Sequence, residues 1–441
     1  MKFPNHKNKK ILILGLGLLG RGVKDAIFFA EQGAKVTVTD LKTKEELKDS
    51  IEQLKDFDIN YTLGEHKKSD ILNSDLIIRN AGIPQNSSYL KLAQKKKIPI
   101  EMDESLFAKY CPCKIIGITG TRGKTTTATL IYKILKENLA DKHVFLAGNI
   151  QGEATLPLIN KVTKNDIVIL ELSSWQLQAF HWNKISPRIA VFTNLYPDHM
   201  NSYKNMTEYL NDKKAIFQYQ KKSHYCILNK DQSRIKKLEN EIPSKIKFFH
   251  KNDVPNDWII NIPGEHNLEN IAAAIQVAKI LKISDESIQK SVENFSSVEH
   301  RLELVRTINK INFINDTTST TPISGEKALK STKKPIILIA GGASKKLKLN
   351  KFSKSICKNV KAVILLEGSA TDELENGLKV NKCDNLISGK FDNFEEAIKQ
   401  AYSISLPGDT ILLSPGCSSF GMFKNEYDRG DQFKKIVNLL T

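Results

Sequence analysis

The sequence predicts an α/β protein of three domains built on parallel sheets. Two observations carry this. The chain has 441 residues, about three domains at typical sizes. Short apolar runs alternate with amphipathic helical patterns nearly throughout, and that alternation marks strand–helix–strand units.

The first hundred residues hold strand candidates at Ile11–Leu14, Lys35–Thr39, Leu76–Arg79 and Ile98–Glu101, separated by Lys-rich amphipathic segments. Gly15-Leu-Gly-Leu-Leu-Gly20 follows the first strand, and Asp40 ends the second. Alone, this is a dinucleotide-binding fingerprint: the glycines and the helix N-terminus receive a diphosphate. A nicotinamide-dependent oxidoreductase is therefore one reading of this block, but it leaves the motifs further along unexplained.

A second block opens with Lys114–Thr119 and continues through Ile167–Leu172, Ile189–Asn194 and His224–Asn229; the helical segment Asn267–Leu281 closes it. A third reads as strands Ile311–Asn315, Ile336–Ala340, Ala362–Leu366 and Thr410–Ser414. Boundaries are expected near 104 and 300, giving domains 1–103, 104–299 and 300–441.

The central block carries the most specific motif, Gly117-Ile-Thr-Gly-Thr-Arg-Gly-Lys-Thr-Thr-Thr127, between a β-rich run and the helical pattern Ala128–Glu137. Glycines let backbone N–H groups approach phosphate oxygens, and the helix N-terminus favours an anion. Lys124 reaches the outer phosphates and the Thr125 hydroxyl suits Mg²⁺. The spacing departs from the general phosphate-loop pattern, which wants its first glycine where Ile118 stands. Glu171 ends an apolar strand, the ligand-binding edge of an open α/β sheet. Asp198-His199 follows another strand end, and Lys213-Lys214 lies in a polar helical segment before Ile216-Phe217. In the third block, Gly341-Gly-Ala-Ser-Lys345 places Lys345 in a loop after a strand.

Composition narrows the class. Apolar residues make 40% and charged residues 26% of the chain, ordinary for a globular protein. The net charge of +17 comes from lysines scattered along the chain. That suits anionic small substrates better than a nucleic-acid face. The six cysteines include one close pair, Cys111 and Cys113, and show no zinc-finger spacing; free thiols in a reducing compartment are expected. The run Ile11–Gly20 after Lys7, Lys9 and Lys10 mimics a signal peptide, but it is short, glycine-spaced and lacks a cleavage site. No stretch reaches membrane-spanning length. A cytoplasmic protein, without membrane insertion or nucleic-acid partner, is expected.

The motif Thr119-Gly-Thr-Arg-Gly-Lys-Thr125 resembles the phosphate loop of the Mur ligases and the related folylpolyglutamate synthetases. Further segments fit in the same order: Glu171-Leu-Ser-Ser-Trp-Gln-Leu177, Asn194-Leu-Tyr-Pro-Asp-His-Met200, Gly264-Glu-His-Asn267 with Asn270, His300-Arg301, Asn315-Asp316, Ser414-Pro-Gly-Cys-Ser-Ser-Phe420, Phe423-Lys-Asn425 and Arg429-Gly-Asp431. The resemblance spans nearly the whole chain and is nearest to the MurD-type ligases, which add glutamate to UDP-N-acetylmuramoyl-L-alanine.

The resemblance implies a Rossmann-like domain for the UDP substrate, a central phosphate-loop ATPase domain and a Rossmann-like C-terminal domain. It implies ATP, two Mg²⁺ sites, an acyl-phosphate intermediate and a monomer that serves peptidoglycan precursor synthesis. ATP would meet Gly120, Thr121, Arg122, Gly123, Lys124, Thr125, Thr126, Asn267, Asn270, Arg301 and Asp316. Thr125, Glu171, His199 and Lys213 would serve the metals, with Lys124, Glu171, His199 and Lys213 catalytic. One of Lys213 and Lys214 would be carbamylated, and alignment to Ile216-Phe217 points to Lys213. The UDP substrate would lie near Leu18, Leu19, Asp40, Asn80, Gly82 and Asn149; glutamate near Thr320, Lys345 and Ser419. Two departures stand out. Arg122 replaces the usual Asn. Thr318 replaces a lysine in Asn315-Asp-Thr-Thr-Ser-Thr320, which withdraws a cation from the amino-acid side and leaves D- against L-glutamate open.

Overall fold

A computed structural model describes residues 3–18, 20–150, 154–200, 202–262, 264–345 and 347–440. Three sheets organise them. The first contains β1 (Lys10–Leu14), β2 (Lys35–Asp40), β3 (Ile59–Leu63), β4 (Leu76–Arg79) and β5 (Ile100–Glu101), in the order β3-β2-β1-β4-β5. All its pairings are parallel. The strand order reverses between β1 and β4, so the loops after these two strands flank a topological switch point, where open α/β sheets bind ligands. Those loops are the glycine run 15–20 and Asn80–Gly82.

The second sheet contains β6 (Lys114–Thr119), β7 (Val144–Gly148), β8 (Ile167–Glu171), β9 (Ile189–Phe192), β10 (Tyr225–Asn229) and β11 (Lys245–Phe249), in the order β11-β10-β9-β6-β8-β7. It is parallel throughout. Here β6 is the switch strand, flanked by β8 and β9. The phosphate loop, Glu171 and Asn194 therefore leave neighbouring strands at one edge.

The third sheet contains β12 (Glu303–Ile308), β13 (Ile311–Asn315), β14 (Ile336–Gly341), β15 (Ala362–Leu366), β16 (Ile387–Phe391) and β17 (Thr410–Leu413), in the order β12-β13-β17-β14-β15-β16. Only the β12–β13 pairing is antiparallel. Its central strands β14, β15 and β17 are covered on both faces. Ile337, Ile339 and Leu413 pack with Phe313 and Phe433 on one side; Leu338, Ala340 and Leu412 pack with Phe352 and Leu374 on the other. That is the period-two alternation of a strand, apolar at both parities because both faces are buried.

By contacts the chain forms two compact units: one through Trp258 with Leu268–Val292, the other Ile259–Asn267 with the chain from Glu293 onward. The first two sheets share the first unit, and one apolar core joins them, including Ile11, Phe29, Phe107, Leu170 and Phe180.

Five strands were not expected from the sequence: β3, β7, β11, β12 and β16. Each lies at the edge of its sheet. Four of them interleave polar and apolar residues, as Lys245–Phe249 does, and so show no continuous apolar run, whereas Val144–Gly148 is an apolar run that was not expected as a strand. The expectation of free thiols also needs correction. Cys357 and Cys383 form a disulfide, their Cα atoms 5.7 Å apart across 26 residues, while Cys111, Cys113, Cys226 and Cys417 are free. The pair is unrelated in spacing, and packing of the helix Asn350–Asn359 brings it together. No helix among the described residues is long and apolar enough to cross a membrane.

Candidate active site

The helix Lys124–Asn138 begins at the phosphate loop, capped by Gly123 in the left-handed region. A glycine has no side chain to satisfy the first-turn N–H groups, which leaves that turn to an anion. A Cβ on Gly120 would come within 2.0 Å of Thr193 Oγ1, and one on Gly123 within 2.1 Å of Asn270 Oδ1. Both positions also have positive φ, 150° and 77°. The loop is thus a close-packed cradle in which only glycine fits at these two points.

The exit of β9 fastens it. Arg122 N donates to Asn194 Oδ1 (2.8 Å) and Asn194 Nδ2 returns a bond to Arg122 O (3.0 Å). Thr193 Oγ1 also donates to Arg122 O (2.7 Å), and Thr121 N donates to Asn194 O (2.9 Å). Lys124 Nζ folds back to Thr121 O at 3.2 Å. On the helix side, Thr127 Oγ1 donates to Asn270 Oδ1 at 3.3 Å. Thr125 and Thr126 follow in the same first turn.

Three further predicted side chains gather here. Glu171, buried, ends β8 opposite Ile118 of β6. Its Oε1 accepts from Asn149 Nδ2 at 3.4 Å, and its Oε2 is buried without a partner. Lys213 is 1% exposed; its Nζ donates to Gly120 O at 2.9 Å and lies 4.6 Å from the Tyr209 ring centroid. Burial, with Lys124 adding, holds its amine well below the ordinary lysine range. Lys214 points elsewhere and pairs with Glu241 at 2.6 Å. His199 has φ 56° and packs on Trp175, centroids 4.5 Å apart. Burial lowers its pKa; Asp198 opposes this, and Lys213, Lys124 and Arg122 reinforce it, so the imidazole is neutral near pH 7. Arg122, the departure in the motif, lies 3.7 Å from Asp198.

At the first switch point, Asp40 Oδ2 accepts from Gly17 N (3.0 Å) and Oδ1 from Lys42 N (2.9 Å), which locks the glycine loop to β2. Asn80 Oδ1 accepts from Gly82 N at 3.0 Å. Leu18 is exposed. Leu19 lies outside the described residues.

In the second unit, Lys345 Nζ donates to Thr320 Oγ1 at 2.8 Å, bringing these two predicted residues together beside Cys417. Ser419 is buried with an unpartnered Oγ. Asp316 accepts from Ser414 Oγ (2.8 Å) and Leu302 N (3.2 Å). Burial raises it to about 6 against the pull of Ser319, Ser414 and Arg301. Arg301 is exposed, and Asn267 is buried at the start of the helix His266–Ile280. Thr318 Oγ1 donates to His300 O at 2.9 Å. Sequence reasoning assigned no role to Arg429 of the segment Arg429-Gly-Asp431, which is fully buried and bonds Thr317 Oγ1 (3.0 Å) and Thr317 O (2.9 Å). It also missed Arg79, which bonds Gln178 at 2.7 Å. Both are arginines whose partners lie about a hundred residues away.

Three family models match the chain: the Mur ligase MurD-like N-terminal domain over residues 9–101, the Mur ligase middle domain over 118–259 and the Mur ligase glutamate ligase domain over 300–417. A relative from Roseiflexus sp. (strain RS-1) is 37% identical, with 98% of this chain and 99% of the relative covered. The chain belongs to the Mur ligase family. A second relative, from Borreliella afzelii (strain PKo), is 38% identical with both chains fully covered. Both carry the name UDP-N-acetylmuramoylalanine–D-glutamate ligase. Among solved structures, the family fold recurs in the UDP-N-acetylmuramate-alanine ligase MurC of Thermotoga maritima, with TM-score 0.61, 16% identity and 98% and 99% of the two chains covered. The MurF ligase of the same organism, solved with ADP, matches with TM-score 0.60 and 18% identity over 92% of this chain and 95% of that one.

Proposed function

We propose that this ligase joins D-glutamate to UDP-N-acetylmuramoyl-L-alanine at the expense of ATP. The observation that carries the reading is full-length identity of 37–38% to relatives named for that reaction, with the Lys124 loop, Glu171, His199 and Lys213 gathered at one sheet edge. The alanine carboxylate oxygen takes the γ-phosphoryl group and ADP leaves. The glutamate amine then attacks the acyl carbon, loses a proton, and phosphate departs.

Lys124 and the first-turn N–H groups stabilise charge on the transferring phosphoryl group. Asn270, bonded to Thr127 beside the loop, belongs to the same ATP site. The donor set fits Mg²⁺, since Glu171 keeps a buried oxygen without a partner and the Thr125 hydroxyl and neutral His199 lie in the same neighbourhood. When bound, Mg²⁺ neutralises charge on the phosphates. Lys213 carries the carbamate: burial lowers its amine's pKa and so favours the neutral form that adds CO₂, whereas Lys214 is a surface ion pair. Residues 1–103 hold the UDP moiety through the glycine loop, Asp40, Asn80 and Gly82, with Asn149 from the central block 104–299 on the sugar diphosphate. Residues 300–441 hold glutamate. The chain works as a cytoplasmic monomer.

Isothermal calorimetry separates this reading from a nicotinamide enzyme. UDP-N-acetylmuramoyl-L-alanine binds and NAD does not; NAD binding without UDP-sugar binding overturns it. The amino-acid assignment has its own test. Lys345, beside Thr320, supplies a cation for the side-chain carboxylate, and Ser419 a hydroxyl for the other. Removing a charge-assisted contact costs about 1.5–3 kcal/mol, so Lys345→Ala raises the D-glutamate KM roughly 10- to 100-fold. The ATP KM stays within about twofold. Equal rises in both constants contradict the placement of glutamate at Lys345.

A further inference from the structure

One residue of the glycine-loop domain reaches out of it. Arg21 is the first residue of the helix Arg21–Glu31, directly after Gly20. Its Nη2 donates to Gly148 O at 2.8 Å, and its Nη1 lies 3.4 Å from Glu104 Oε1. Both partners lead to Glu171 by separate routes.

The first route runs through the backbone. Gly148 ends β7 and pairs with Glu171 across the β7–β8 ladder. The next residue, Asn149, donates its N–H to Glu171 O at 2.7 Å and its Nδ2 to Glu171 Oε1 at 3.4 Å. Moving the Gly148 carbonyl therefore moves Asn149, and with it the carboxylate of Glu171.

The second route runs through side chains. Glu104 is fully buried and accepts from Gln176 Nε2. Gln176 Oε1 in turn accepts from Ser173 N at 2.7 Å and closes the capping box of the helix Ser174–Asn183. That cap lies two residues beyond Glu171. One guanidinium thus holds, from two sides, the short segment that presents Glu171. A fork with several fixed donors suits this double grip, whereas an ammonium on a flexible stem does not.

The surroundings set Arg21 apart from ordinary interdomain packing. Asp25, one turn along the same helix, and Asp103 are buried, and each has an oxygen without a partner, as does Glu104. These side chains and Arg21 line a cavity of about 10 Å³ that opens beside Gly15 and Asn80. A buried group of three carboxyls around one cation is costly to keep as mere filler.

We propose that Arg21 is a positioning residue, which fixes the Asn149–Glu171 edge against the glycine loop and so sets the distance between nucleotide-sugar and ATP. The inference rests on the reading above, that the loop takes UDP and Asn149 the sugar diphosphate.

The test compares wild type, Arg21→Met, Arg21→Lys and Glu104→Gln. Kinetics are taken with each substrate varied in turn, alongside calorimetry of UDP-N-acetylmuramoyl-L-alanine binding and thermal unfolding. Misplacing a positioned group by about 1 Å costs up to roughly a hundredfold. Arg21→Met is therefore expected to lower kcat at least about tenfold and to raise the KM and the Kd of the UDP-sugar, with the ATP KM within about twofold. Lysine restores part of the loss, since it reaches one acceptor and not both. Glu104→Gln keeps an acceptor for Gln176, removes the charge, and raises the same constants by a smaller factor. Should Arg21→Met fail to fold, the lysine and Glu104→Gln variants decide on the same split. The proposal is overturned if the UDP-sugar constants stay unchanged. It is equally overturned if both KM values rise together as the unfolding temperature falls, which would make Arg21 packing alone. A wild type that binds the UDP-sugar but fails to turn over refutes the proposed reaction, while the Kd comparison still judges Arg21.

Discussion

Replacing Lys124 with alanine is expected to lower kcat by roughly a thousandfold or more, about 4 kcal/mol of transition-state stabilisation. Lys124 opens the helix Lys124–Asn138, and its ammonium turns back over the loop to Thr121 O at 3.2 Å. An anion seated on the first-turn N–H groups therefore meets that ammonium as well. Charge on the transferring phosphoryl group grows in the transition state, so the ammonium counts most there, and kcat falls rather than the ATP KM rising alone. The fold survives, because the loop is fastened through backbone groups and Asn194, not through Lys124. Circular dichroism and phosphate release on the purified variant check both halves. Wild-type turnover in Lys124→Ala would contradict the assignment of the loop.

Lys213 gives the second large effect. Its amine is buried against Gly120 O and the Tyr209 ring, with Lys124 close enough to disfavour a second positive charge. A protonated ammonium there would repel metal ions; a carbamate would attract them. Lys213→Ala is expected to cost more than the roughly 100-fold that follows loss of a partner one shell out from a metal. Acetate or propionate, offered at high concentration, restores part of the activity by filling the vacated space with a carboxylate. Lys214→Ala leaves turnover within about twofold, the usual scale for a surface ion pair. Full activity of Lys213→Ala with loss on Lys214→Ala would move the role to the neighbour.

These two residues also mark what a sequence can and cannot disclose. The Lys124 loop was legible because phosphate binding needs glycines, a lysine and a helix start within a few consecutive residues. The central strands were legible because both their faces are buried and their apolar runs are unbroken. The edge strands β3, β11, β12 and β16 carry no such run; β7 does, and its pairing with β8 is what marks it as a strand. Lys213 and Lys214 share one polar segment; alignment to Ile216-Phe217 favoured Lys213, and the fold adds that it is buried against Gly120, 93 positions away, while Lys214 pairs with Glu241 at the surface. Arg21 and Gly148 are 127 positions apart; no local pattern announces such a contact. The disulfide between Cys357 and Cys383 was hidden for the same reason. Conversely, the resemblance supplied roles for Asp40 and Lys345 that no spacing could give, and the geometry adds a partner for each: the N–H of Gly17 and the hydroxyl of Thr320.

The substitution at Thr318 leaves the amino acid as the point of greatest leverage. Thr318 bonds the His300 carbonyl, so this position presents no cation, and the proposed charge recognition of glutamate rests on Lys345. The most direct measurement is phosphate release from ATP by the wild-type protein with UDP-N-acetylmuramoyl-L-alanine, run in parallel with D-glutamate, L-glutamate and meso-diaminopimelate. Release is expected to depend on the UDP substrate and to be fastest with D-glutamate. Preference for L-glutamate would overturn the chirality; release driven by meso-diaminopimelate, or none with any of the three, would contradict the proposed reaction itself.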